Sequence, residues 1–227
     1  MISFSGIDCG GKSTQIEMIS EYMNSTSKYR NRVKIIHSRG GYTPVLEFAK
    51  KIVRTDRNAA PEEQNKYREA VHSSFRKRKL LLWLSIFDLG IYYGIYFRIC
   101  EIFGKVILAD RYFWDSYIDF LMKYSEFDFE TWLVWKITHK IYLKPKQSVI
   151  YVIPAELSMY RSTLKDEPWP EPEEMRRERI KLYMEQIKRN RWTYVIDATK
   201  SIEEVFGDTN MSAVASRQDL NAYKAHP

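Results

Sequence analysis

Apolar positions fall along this chain in short runs that alternate with long stripes. Five runs rich in β-branched and apolar residues read as strands, at 2–7, 33–38, 106–109, 149–153 and 194–196. Between them, apolar residues recur at helical spacing over about 13–23, 44–54, 62–103, 114–141, 156–164 and 173–189. This alternation predicts an α/β fold of three layers, a mostly parallel sheet with helices on both faces and right-handed crossovers. Ligands of such sheets bind beyond the carboxyl ends of the strands. Residues that directly follow a strand are therefore the first place to look for chemistry. The pattern holds no internal repeat and no second core, so one domain is expected over 1–207. After about Gly207 the pattern fades, and 208–227 is expected as a loosely ordered tail.

The first strand-to-helix junction reads Gly6-Ile7-Asp8-Cys9-Gly10-Gly11-Lys12-Ser13, the phosphate-loop pattern G-x-x-x-x-G-K-[ST]. Its glycines let the backbone curl so that successive N–H groups cradle a polyphosphate. Gly6 to Ser13, with Thr14 after them, are thus expected to bind ATP. Lys12 can reach the β- and γ-phosphates as a point charge, and the Ser13 hydroxyl is placed to ligate Mg²⁺.

Composition adds bounds. The chain has 227 residues, 44% hydrophobic and 29% charged, an ordinary globular balance with ample material for a core. With a strand beginning at Met1, no signal or transit peptide is expected ahead of the fold. Two cysteines, Cys9 and Cys100, make no disulfide framework, and a cytoplasmic setting follows. The four histidines show no metal-ligand spacing. A net charge of +7 suits an anionic nucleotide substrate as well as a nucleic-acid polymer; the phosphate loop favours the nucleotide. Residues 80–97 carry Asp88 as their one charge, behind the basic run Arg76-Lys77-Arg78-Lys79, which resembles a membrane span. A span there would separate the phosphate loop from Asp110 across a bilayer. The stretch is therefore expected as a buried central helix. Its aromatics (Trp83, Phe87, Tyr92, Tyr93, Tyr96, Phe97) suit a dimer interface.

Phosphoryl transfer is mostly positioning and charge neutralisation. Asp110 ends the apolar strand Val106-Ile107-Leu108-Ala109 and is placed to hold Mg²⁺ or its waters. Arg111 follows and can grip an acceptor phosphate bidentately. Arg39 follows the second strand beside Gly40 and Gly41, with Arg54 a weaker candidate. Arg161 and Lys165 precede the acidic, proline-rich stretch 166–172, and the segment at about 158–174 can close as a lid over the transferring group.

Together, the phosphate loop with its internal carboxylate, Arg39-Gly40-Gly41, Asp110-Arg111-Tyr112 and Val195-Ile196-Asp197-Ala198 resemble the thymidylate kinases, from Met1 to about Val205. The resemblance implies a homodimeric P-loop nucleoside monophosphate kinase with a five-stranded parallel core. Such an enzyme moves the γ-phosphate of ATP to a deoxynucleoside monophosphate, dTMP first, with Mg²⁺. It assigns Lys12 and Ser13 to the donor phosphates and metal, and Asp110 to the metal side. It assigns Asp8 to the acceptor 3′-hydroxyl, Arg39 and Arg111 to the acceptor phosphate, and Tyr112 and Asp115 to the acceptor site. Cys9 stands where some members carry a catalytic arginine, which leaves that charge to Arg161 or Lys165. The chain also departs from the family. Phe87-Asp88-Leu89-Gly90 holds no thymine-reading arginine, Asp115 replaces an expected serine (Ser116 is one place later), and the lid is acidic. Two further readings follow from these departures: a kinase for another acceptor, or a nucleotide-binding protein without catalysis.

Overall fold

Alternating apolar runs and stripes become an alternating sheet and helices. The computed structural model describes residues 1–38, 74–165 and 171–213, with side chains to 210. Its strands are β1 (Ile2–Gly6), β2 (Val33–His37), β3 (Val106–Asp110), β4 (Gln147–Val152) and β5 (Tyr194–Asp197). They pair in the order β2-β3-β1-β4-β5, all parallel. The helices are α1 (Lys12–Ser25), α2 (Phe75–Ile91), α3 (Phe97–Ile102), α4 (Phe113–Lys123), α5 (Leu133–Ile141), α6 (Ala155–Leu164), α7 (Glu173–Lys188) and α8 (Ile202–Ala213). The result is the α/β architecture with a five-stranded parallel sheet that the pattern and the resemblance imply.

Parallel strands covered on both faces read as continuous apolar runs, not alternating ones. Every residue of β1 is buried, and Phe4, Leu108 and Val149 on the three central strands are fully so. Helix α1 packs on the sheet and against α8, α3 packs on β3, and α4 packs on β1 and α7.

Three expectations change. The helix expected over 114–141 is two helices, α4 and α5, with a 3₁₀ turn at Phe129–Thr131 between them. Thr131 donates its hydroxyl to the Asp128 carbonyl at 2.7 Å, and its N–H to the same oxygen. Such local bonding competes with a continuous helix ladder. Helix α8 appears where no helix was expected, and residues 208–210 belong to it. Thr209 is fully buried, with its hydroxyl 3.1 Å from Tyr151 Oη, so packing rather than periodicity orders them. The stretch 62–103 is helical from Phe75 to Ile102, with one π turn at Tyr92–Tyr96. Its earlier part, and the helix expected at 44–54, lie outside the described residues.

This long helix is apolar on two sides. Leu82, Ile86, Leu89, Tyr93 and Phe97 face inward and are fully buried. On the other side Trp83 and Phe87 stack at 5.5 Å and stay largely exposed, as do Ile95 and Ile99. By length and composition the helix could cross a membrane, and half of its most apolar window is buried inside the protein.

Candidate active site

The site is built where β1 runs into α1. Gly6 sits at φ +136°, and a Cβ there would meet the Tyr151 carbonyl oxygen of β4 at 2.6 Å. In the sheet register Gly6 lies beside Tyr151, so a side chain cannot be accommodated without moving backbone. Beyond it the chain turns through Cys9 (φ 57°) and Gly11 (φ 84°), both in the left-handed region. These turns bring the amino end of α1 up under a cavity of about 420 Å³. That helix end carries no side-chain cap among the described residues, so its first N–H groups suit an anion.

The cavity is lined by residues 8–15, by Asp110 and Arg111, and from the far wall by Arg161, Lys165, Lys200 and Ile202. Among the described residues, five cationic side chains and two carboxylates, Asp8 and Asp110, thus line it. Lys12 is buried and folds back on its own loop, donating to the Gly6 carbonyl at 2.9 Å and the Ile7 carbonyl at 2.6 Å. Burial, and next the nearby Arg111 charge, pull its ammonium down to about 8. Ser13 and Thr14 are exposed and face the cavity.

Asp110 lies beside His37 in the register of β2 and β3, and its Oδ2 is 3.0 Å from His37 Nδ1. Its Oδ1 is buried with no hydrogen-bond partner among the described residues. A buried carboxylate oxygen left unpaired is costly, and a divalent cation or its water would satisfy it. With the Ser13 hydroxyl on the same cavity, this oxygen-only donor set fits Mg²⁺. Among the described residues no three His, Cys, Asp or Glu side chains gather as a metal site; a phosphate-bound Mg²⁺ requires no such cluster.

Arg111 takes a left-handed φ of 64°, while its N–H extends the sheet ladder to the Phe4 carbonyl at 2.8 Å. Its buried guanidinium donates to Asp8 Oδ1. Two of the residues expected at the acceptor therefore hold each other. Arg161 donates to the Ala198 carbonyl at 3.0 Å, and Lys165 is exposed at the end of α6. Arg39 and Arg54 lie outside the described residues, as does 166–170 of the acidic segment.

A likeness in fold completes the geometry. A crystal structure of thymidylate kinase from Ehrlichia chaffeensis matches with a TM-score of 0.54 at 18% identity, over 92% of this chain and 95% of that one. This is a thymidylate kinase-like fold. No protein-family model matches the chain, and no curated protein matches it in sequence.

Within this thymidylate kinase-like fold, two expected site residues do not reach the cavity. Tyr112 is buried, with its ring 4.3 Å from that of Tyr93 and its hydroxyl donated to the Leu143 carbonyl at 2.7 Å. Asp115 is the third residue of α4 and accepts the Tyr112 N–H at 3.0 Å, a reciprocal cap. It also accepts Ser5 Oγ at 2.6 Å and Tyr183 Oη at 2.6 Å. All of its oxygens are spent inside the protein, which explains why an acid is tolerated where the resemblance implies a serine.

Sequence reasoning also missed contributors. Lys200, paired with Asp208 at 2.8 Å, lines the far wall. Its place after β5 was the available signal, because residues following strands were already the expected site. Ser158 donates its hydroxyl to the Asp8 carbonyl at 2.8 Å, from α6. No sequence signal marks a serine that reaches a loop 150 residues away.

Proposed function

We propose that this protein is an ATP- and Mg²⁺-dependent nucleoside monophosphate kinase, with dTMP the first acceptor by its family resemblance. One observation carries the reading: a phosphate loop opens into a cation-rich cavity that Asp110 also lines, with one carboxylate oxygen unpaired among the described residues. The amino end of α1 and Lys12 hold the β- and γ-phosphates. Lys12 exchanges the Gly6 and Ile7 carbonyls for phosphate oxygens when the nucleotide enters. Ser13 and Asp110 would hold Mg²⁺, which when bound neutralises charge on the transferring phosphates. Arg161 and Lys165 supply charge from the far wall, in place of an arginine at Cys9. Arg111, joined by Arg39, holds the acceptor phosphate, and Asp8 orients the acceptor sugar. The exposed Trp83–Phe87 face of the long helix serves as a homodimer contact. Two cysteines outside any disulfide suit a cytoplasmic setting. The test is a coupled ADP-release assay with MgATP across the nucleoside monophosphates, in which dTMP turns over. Absence of turnover with every monophosphate would remove the reading.

A second reading has its own support. Asp88 is buried on α2, in the region where the resemblance places an arginine that reads thymine. A carboxylate prefers a hydrogen-bond donor where an arginine would meet an acceptor. That difference favours a kinase of the same kind acting on another phosphorylated acceptor. Turnover with a different monophosphate or small phosphorylated metabolite, and none with dTMP, would decide for it.

A further inference from the structure

Arg176 is fully buried, yet it makes no ion pair among the described residues. Its three nitrogens each meet a neutral oxygen: Nε the Glu171 carbonyl at 2.8 Å, Nη1 the Ser158 hydroxyl at 2.6 Å, and Nη2 the Ser162 hydroxyl at 3.1 Å. A buried guanidinium without a carboxylate is expensive, and proteins rarely bury one unless it is paired. The neighbouring Arg179 shows the usual solution, since it is held by both Glu171 and Asp119.

What sets Arg176 apart is what lies beyond Ser158. That hydroxyl accepts from Arg176 and donates to the Asp8 carbonyl, in the middle of the phosphate loop. Accepting from a cation polarises the hydroxyl and strengthens its own donation. The peptide unit is planar, so anchoring the Asp8 carbonyl fixes the direction of the Cys9 N–H. Cys9 is also the loop residue held at a left-handed φ without being glycine, where an external constraint is needed most.

We infer that Arg176 is a positioning residue for polyphosphate binding. Through Ser158 it fixes the Asp8–Cys9 peptide of the loop, and its charge, which has no ion-pair partner among the described residues, adds to the attraction for the bound phosphates. The inference rests on the ATP-binding reading above, and adds to it a residue that does not line the cavity.

Calorimetry of the full chain with ATP, ADP and AMP, each with Mg²⁺, tests it, alongside melting temperatures. Arg176→Met is expected to weaken ATP binding by about thirtyfold, and Ser158→Ala by about tenfold. Arg176→Lys, which keeps the charge but loses the planar fork, is expected to fall between Arg176→Met and the parent. The loss should shrink from ATP to ADP to AMP, following ligand charge. A purely structural arginine would weaken all three alike or lower only the melting temperature. If Arg176→Met does not fold, Ser158→Ala carries the test. Unchanged ATP affinity in Ser158→Ala, or equal loss for the three nucleotides, overturns the inference while the parent still binds ATP. A parent protein that ignores MgATP removes the ATP-binding reading itself, and this inference with it.

Discussion

The two sides of the cavity were built by different means. On the proposed donor side, backbone conformation does most of the work: Gly6, Cys9 and Gly11 turn the chain, and the end of α1 follows. On the proposed acceptor side, side chains do the work and they are committed to protein partners. Arg111 holds Asp8, and Tyr112 and Asp115 are locked into the core with Leu143, Ser5 and Tyr183. A backbone cradle is ready before any ligand arrives, because its N–H groups have few competing partners. A side-chain clamp must first exchange protein partners for ligand, and it can be redirected by single substitutions. Change in substrate is therefore expected to arise on the acceptor side, while the donor side stays fixed.

The largest effect should come from the donor side. Lys12→Ala is expected to lower kcat by about a thousandfold, because charge at the transferring phosphate is the main thing this fold can supply. Steady-state kinetics check it, and activity near the parent's would show that the backbone cradle suffices alone. Asp115→Ala should act in the opposite way. It strips partners from Ser5, Tyr112 and Tyr183 at once, and is expected to cost about 3 kcal/mol of stability. Chemical denaturation measures this. Intact stability with lost turnover would instead return Asp115 to the acceptor site. Smaller still is Arg111→Lys, which keeps charge but loses the planar fork. It should raise the acceptor KM about tenfold and leave the ATP KM near the parent's. An equal rise in both would mean that the two sides are not separate.

The same contrast explains how much could be read from the chain. The phosphate loop was legible because its chemistry needs particular residues at fixed local spacing, and Gly6 and Gly11 do adopt the positive φ it demands. The parallel sheet followed from alternation, since parallel strands require crossovers; its order β2-β3-β1-β4-β5 did not. Asp110 and Arg111 were legible by place, as the residues that follow a strand. Tyr112 and Asp115 were assigned to the acceptor by the resemblance, and neither lines the cavity. Their direction is set by Leu143 and Tyr183, which the chain brings back from far along the sequence. The break between α4 and α5 depended on a local bond of Thr131 to Asp128 that competes with the ladder. Arg176 was hidden for the same reason as Tyr112: its meaning lies in its partners on α6, and a sequence shows it as one more arginine on a charged helix.

Protonation offers the finest probe of the donor side. Free Lys12 is held down to about 8, by burial and then by Arg111, against an ordinary value of 10.5. In the unfolded chain the ammonium keeps its proton until the ordinary value. Between about 8 and 10.5 the unfolded state therefore binds more protons, and this group's contribution to stability rises with pH across that window. Below about 8 both states are charged and the cost of burying the ammonium is present in full. A bound polyphosphate reverses the balance, since its negative charge favours the ammonium. Near pH 9, MgATP binding should then draw up to about one proton from solvent, and near pH 7 almost none. Calorimetry in two buffers of different ionisation enthalpy reads this uptake directly. Apparent ATP affinity should fall as pH climbs above about 8, and Lys12→Met should abolish both the uptake and the fall. A binding enthalpy that is independent of buffer at every pH from 7 to 9 would mean that Lys12 meets the phosphates already charged. Its burial would then be offset within the empty loop by the Gly6 and Ile7 carbonyls, and readiness on the donor side would extend from backbone to side chain.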